Sequence, residues 1–198
     1  TTEGIRKGDG TKLANPATKR IIYIPPEGEN VLRDKLANLE KFIYADDELD
    51  PLIKLAVLHY QFEAIHPFSD GNGRTGRIIN ILYLLDRGLL DTPVLYLSRY
   101  IIENKDGYYR ALRKVTEGGA WEPWVLYMLN GVEETARWTR GRIVAIKDMM
   151  NKTAETVRKR APKIYSKDLV EVVFRQPYSK IKFLEEMGIG NRQTASAY

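Results

Sequence analysis

The chain has 198 residues, 43% of them hydrophobic, which is enough for one sizeable core with a small appendage. It has no cysteine, excluding a disulfide framework and thiolate chemistry, and no leader or apolar run of membrane-spanning length, so a cytoplasmic protein with no membrane partner is expected. The formal net charge of +5 is unevenly placed: residues 1–120 hold 17 basic and 17 acidic side chains, residues 121–198 hold 14 and 9.

In chain order, residues 1–12 are polar and carry no periodic signal. The chain begins at Thr1 and not Met, so sequence upstream of it is expected. KLANPATKRIIYIPPEG reads as a hairpin over about 13–25, with Asn15-Pro16 at the turn and Pro25-Pro26 stopping the second strand. Val31, Leu32, Leu36, Leu39 and Ile43 then recur at helical spacing. The next helix opens with Asp50 as its cap and Pro51 at its first position, and it is apolar almost all round, as a helix inside a bundle would be. A glycine-rich loop, HPFSDGNGRTGR, interrupts it at His66–Arg77. A second apolar helix follows and ends at Gly88. One or two helices come next, broken around Lys105-Asp106-Gly107. A long helix, or two, then ends before Pro162, and the remaining residues read as short helices joined by tight turns. The predicted organisation is a mainly helical domain over residues 1–162 and a small helical module over 163–198.

The loop concentrates chemistry. Gly71-Asn72-Gly73 permits positive φ, so successive N–H groups can converge on one anion, and the helix starting there aims its positive dipole end at the same place. Arg74 and Arg77, three apart on the first turn, can grip phosphate oxygens. A helix N-terminus disfavours cations, so two arginines there imply something negative between them. Asp70 is placed for a hard cation such as Mg²⁺, and His66 for a proton. Taken singly, each has an ordinary structural explanation: a turn, a packed histidine, solvated arginines. Together they are the parts that phosphoryl-type transfer needs, although GxxxxGK[ST] is absent.

HPFSDGNGRTGR resembles the signature loop of the Fic-domain family, HxFx(D/E)GNGRxxR, at every specified position, and the likeness covers roughly residues 13–160. The resemblance implies an all-α fold, a Fic-type helical bundle with a β-hairpin flap. It also implies a protein adenylyltransferase that moves AMP from Mg²⁺-bound ATP, its co-substrate, to a Ser, Thr or Tyr hydroxyl of a target protein, the enzyme itself included. His66 would deprotonate that hydroxyl. Asp70 would hold Mg²⁺; Gly71, Asn72 and Gly73 would cradle phosphates; Arg74 would bind the leaving pyrophosphate and Arg77 the γ-phosphate. Phe68 would anchor the loop. Ile22, Tyr23 and Ile24 would form the flap edge that docks the target as an added strand. Asn104, Tyr108 and Tyr109 would line the adenine and ribose site, and His59, two turns before His66, is structural.

Glu3-Gly4 resembles the end of the family's inhibitory pattern, [ST]xxxE[GN], but Thr1 and Thr2 lie too close to Glu3 to complete it. SKIKFLEEMGIGNRQTASAY resembles the start of a winged-helix module. Ile181, Leu184 and Met187 would pack its first helix, Gly188-Ile189-Gly190 would turn, and Arg192, Gln193 and Ser196 would face outward toward DNA. Two alternatives stay open: a nucleotide-sensing DNA-binding regulator, and a relative that transfers another group or removes AMP. Assembly as a homo-oligomer is compatible with each.

Overall fold

The computed structural model describes residues 4–8, 10–14, 19 and 21–197. The turn residues Asn15 and Pro16, and Thr1, Thr2 and Glu3, lie outside the described residues. Strands β1 (Leu13–Ala14) and β2 (Ile21–Tyr23) pair antiparallel, Leu13 opposite Tyr23 and Ala14 opposite Ile21. The register shifts by one residue between those pairs, a bulge that bends the edge of the ribbon.

Helix α1 (Glu29–Tyr44) buries Leu32 and Leu39, with Leu36 and Ile43 packed on the same cluster. Val31, expected on that face, is 44% exposed, because one residue from Leu32 is about 100° around the helix. Asp50 caps α2 (Pro51–Ile65) as its position predicts, its carboxylate accepting the Leu52 and Ile53 N–H groups at 2.8 and 3.4 Å. Being apolar all round, α2 serves two cores. Leu55, Leu58, Phe62 and Ile65 pack with α1 and with Tyr83 and Leu84 of α3 (Asn72–Asp86). Ala56 joins Trp124, Met128 and Tyr108 in a second cluster, where the Trp124 indole donates to Ala56 O at 2.7 Å.

Gly88, at φ +65°, follows the end of α3 as predicted. Helices α4 (Leu97–Glu103) and α5 (Lys105–Gly118) are separated by Asn104 alone, one residue before the stretch Lys105-Asp106-Gly107 around which the break was expected. Those three residues form the first turn of α5, where Asp106 suits the helix dipole and the missing side chain of Gly107 leaves room for the Tyr127 ring. Helix α6 (Trp121–Arg160) is one helix of 40 residues, ending before Pro162. Among the described residues no helix is long and apolar enough to cross a membrane.

Packing divides the chain into Thr1–Arg137 and Trp138–Tyr198, with the division inside α6. The second unit takes the latter part of α6 with α7 (Lys167–Arg175), α8 (Ile181–Glu186) and α9 (Arg192–Ala197). Its core is Leu169, Val172, Leu184 and Ala195, with Ile164, Phe183 and Ile189 against it. Of the residues expected to pack α8, Leu184 is buried, but Ile181 and Met187 are 39% and 49% exposed. A helix of six residues turns few side chains inward, and Phe183 and Ile189 take those places. Gly188, at φ +69°, makes the predicted turn, and Arg192, Gln193 and Ser196 are exposed.

Candidate active site

Helix α2 ends at His66, which adopts the left-handed conformation (φ 49°, ψ 57°) while its N–H still reaches Phe62 O at 3.0 Å. A side chain other than glycine pays for that geometry, so neighbours must hold it. The His66 carbonyl accepts from Arg6 Nε at 2.9 Å, and the Arg6 N–H donates to Pro67 O at 2.9 Å. His66 Nδ1 is buried without a hydrogen-bond partner. Burial, aided by the Arg6 charge and opposed by the Glu63 carbonyl, lowers the His66 pKa from its ordinary 6.5. The imidazole is therefore neutral at pH 7, the form that accepts a proton.

Beyond His66, the loop is fastened by Asn72. Its buried amide accepts the Phe68 N–H at 2.8 Å and donates to Phe68 O at 2.7 Å. The Asn72 side chain is thus committed to the loop, and its backbone N–H is what remains for a ligand. Phe68 packs against the first core, its ring 6.2 Å from that of Phe62, as an anchor would. Gly71 caps α3 at φ +84°, and the first α3 backbone bond runs from Thr75 N–H to Gly71 O at 2.9 Å. The Asn72, Gly73 and Arg74 N–H groups therefore have no carbonyl of their own helix to meet. Three donors and the dipole end converge on one side of the loop.

Asp70 lies at the rim. One carboxylate oxygen accepts the Gly71 N–H at 2.6 Å and the other pairs with Arg74 at 3.0 Å; both side chains are more than two-thirds exposed. Among the described residues no group of three or more His, Cys, Asp or Glu could hold a metal. A lone, exposed carboxylate beside an anion cradle still suits Mg²⁺, which takes one or two protein carboxylates and fills its other positions with phosphate oxygens and water.

Arg77 lies one turn deeper, half-buried, and faces a residue that the sequence reading missed. Glu63, three residues before His66, has a buried oxygen with no partner, and burial pushes its pKa up to about 7 against the opposing Arg77 charge. A carboxylate inside the otherwise apolar FEAI stretch was the available signal. A Cβ at Gly76 would stand 2.9 Å from that oxygen and 3.1 Å from the Phe62 ring, so only glycine permits this approach of α2 and α3. His59 is fully buried and structural, as predicted. Asn80 Nδ2 lies 3.1 Å from Nδ1 and Tyr108 OH 3.0 Å from Nε2, and burial drives the His59 pKa down to about 3.

The adenine-site candidates separate. Asn104 borders a cleft of about 530 Å³ with Tyr100, Lys105, Arg110 and Tyr127. Tyr108 is 5% exposed, its ring in the aromatic cluster of Trp124 and Tyr127, so it is a core residue. Tyr109 is 46% exposed and edges onto Tyr108. In the hairpin, Ile24 is exposed, Ile22 half-buried, and Tyr23 donates its hydroxyl to Ala64 O at 2.8 Å, two residues from His66. The hairpin is thereby fastened to the end of α2.

Residues 3–84 match the Fic/DOC family, and residues 149–198 match the family described as protein adenylyltransferase SoFic-like, C-terminal domain. The chain is 32% identical over 120 residues to a probable protein adenylyltransferase of Aquifex aeolicus, covering 59% of this chain and 32% of that protein. It is 35% identical over 80 residues to the protein adenylyltransferase fic-1 of Caenorhabditis elegans, covering 40% and 14%. The chain thus spans about a third or less of these relatives. A crystal structure of a Fic family protein from Desulfovibrio desulfuricans shares the fold, with a TM-score of 0.55, 22% identity, and coverage of 98% of this chain and 51% of that one.

Proposed function

We propose, from the match of residues 3–84 to the Fic/DOC family and of residues 149–198 to the SoFic-like C-terminal domain, that the chain transfers AMP from Mg²⁺-bound ATP to a hydroxyl of a protein. One observation supports this above the others: His66 and three free N–H donors of α3 are fixed on a single loop, with an acid and two arginines around them. The acceptor hydroxyl gives its proton to the neutral His66 imidazole, and its oxygen bonds to the α-phosphorus of ATP. The bond from that phosphorus to the bridging oxygen breaks, and pyrophosphate leaves. The α3 donors hold the phosphates, Arg74 takes the charge developing on pyrophosphate, and Arg77 binds the γ-phosphate. Asp70 is the residue that would hold Mg²⁺, which neutralises phosphate charge when bound. Swinging out of its pair with Arg74 frees both for these tasks. The hairpin edge Ile22–Tyr23–Ile24 presents an extended target segment to His66, and the cleft at Asn104 takes the base.

Incubation with ATP labelled on either the α- or the γ-phosphate tests the reading. Label on protein from the α position alone supports it; label from the γ position would make the chain a kinase, and none from either would make it a nucleotide sensor. For the C-terminal unit, the exposed Arg192, Gln193 and Ser196 after the Gly188 turn favour a DNA contact through α9, with salt-dependent retardation of duplex DNA as its sign.

A further inference from the structure

The last carbonyls of a helix lack partners within it, and two at the end of α2 are met from outside. Tyr23 of β2 takes Ala64 O, and Arg6 takes His66 O. Arg6 does more than cap. It is 7% exposed, its N–H donates to Pro67 O, and one guanidinium nitrogen donates to Pro26 O at the foot of the hairpin. One side chain therefore joins three places: the arm at residues 4–8, the exit of the hairpin, and the strained backbone of His66. A guanidinium suits the negative end of α2, and its rigid fork reaches two carbonyls at once, which a lysine ammonium on a flexible stem cannot reproduce.

We infer that Arg6 is a positioning residue for His66: it fixes the backbone that aims the imidazole and ties the target-docking hairpin to it, so that the acceptor hydroxyl and the base are held in register. Its charge also acts on the ring, disfavouring protonation of His66. Among the described residues it is the charged side chain that acts on His66. Tyr23 beside it spends its hydroxyl on Ala64, and Arg77 on α3 acts on Glu63 and His59 instead. The role in turnover rests on the adenylyl-transfer reading, whereas the effect on His66 itself does not.

The test uses the whole chain, with histidine carbons observed by NMR. The protein has two histidines, and His59 titrates only near pH 3, so the transition seen above pH 4 belongs to His66. Arg6→Gln should move that midpoint upward, and the acidic limb of kcat/KM should move with it. Arg6→Lys keeps the charge and should leave the midpoint near that of the parent. Both should lower turnover by about 10- to 100-fold, because neither restores the fork. ATP affinity, measured by calorimetry, should change little. An unmoved His66 midpoint in Arg6→Gln, or full turnover in Arg6→Lys, overturns the inference. Should Arg6→Gln fail to fold, Arg6→Lys decides alone: slow turnover at an unchanged midpoint supports the role, and parental turnover removes it. A parent chain that transfers nothing defeats the adenylyl-transfer reading, and the midpoint comparison still judges Arg6.

Discussion

Glu63 shows how one side chain couples site and stability. Its carboxyl has a pKa of about 7 when folded, against 4.5 ordinarily, so burial favours the protonated form. Below pH 4.5 both folded and unfolded chains hold the proton and nothing is lost. Between pH 4.5 and 7 the unfolded chain ionises first, and stability falls as pH rises; above 7 the full loss, about 3 kcal/mol, is present. Glu63→Gln should therefore match the parent at pH 4 and exceed it by up to about 3 kcal/mol at pH 8, measured by denaturant unfolding across pH. An equal difference at both pH values would show that ionisation is not the cause. Arg77, beside Glu63, carries a second expectation. Arg77→Ala should weaken ATP binding more than ADP binding in calorimetry, since the γ-phosphate is its proposed partner. Equal losses would remove that assignment.

At the scale of elements, the junction of α2 and α3 positions the chemistry, and its legibility was uneven. The N-cap at Asp50, the stop at Gly88 and the glycines of the loop are local signals, set by side chain-to-backbone bonds or by φ, and each lies where local chemistry puts it. The break between α4 and α5 falls at Asn104, next to the stretch expected to hold it, and Gly107 lies inside α5, where it leaves room for the Tyr127 ring, a contact 20 residues away. Tyr108 resembled a pocket residue until the fold brought His59 and Trp124 to it. Arg6 and Glu63 escaped notice because their partners are far along the chain or on another helix. Gly76 belongs here too. Gly76→Ala would push a methyl against Glu63 and Phe62, and should cost about 1–3 kcal/mol in denaturant midpoint and slope analysis. A variant as stable as the parent would mean that α2 and α3 separate readily.

For the whole molecule, the division of charge follows the division of structure. The basic excess lies in residues 121–198, and the unit from Trp138 onward holds α9 with its exposed Arg192 and Gln193, whereas the loop chemistry lies wholly in the unit ending at Arg137. The expected boundary near Pro162 followed a change in texture; the packing boundary falls inside the continuous helix α6, where no turn marks it. The central claim concerns the first unit: His66 supplies the base, and the start of α3 supplies the nucleotide site, separately. The measurement that bears on it most directly compares the parent with His66→Ala, reading transfer of α-phosphate label to protein alongside calorimetric ATP affinity. Loss of transfer with affinity preserved is the predicted result; transfer that survives in His66→Ala would contradict the account.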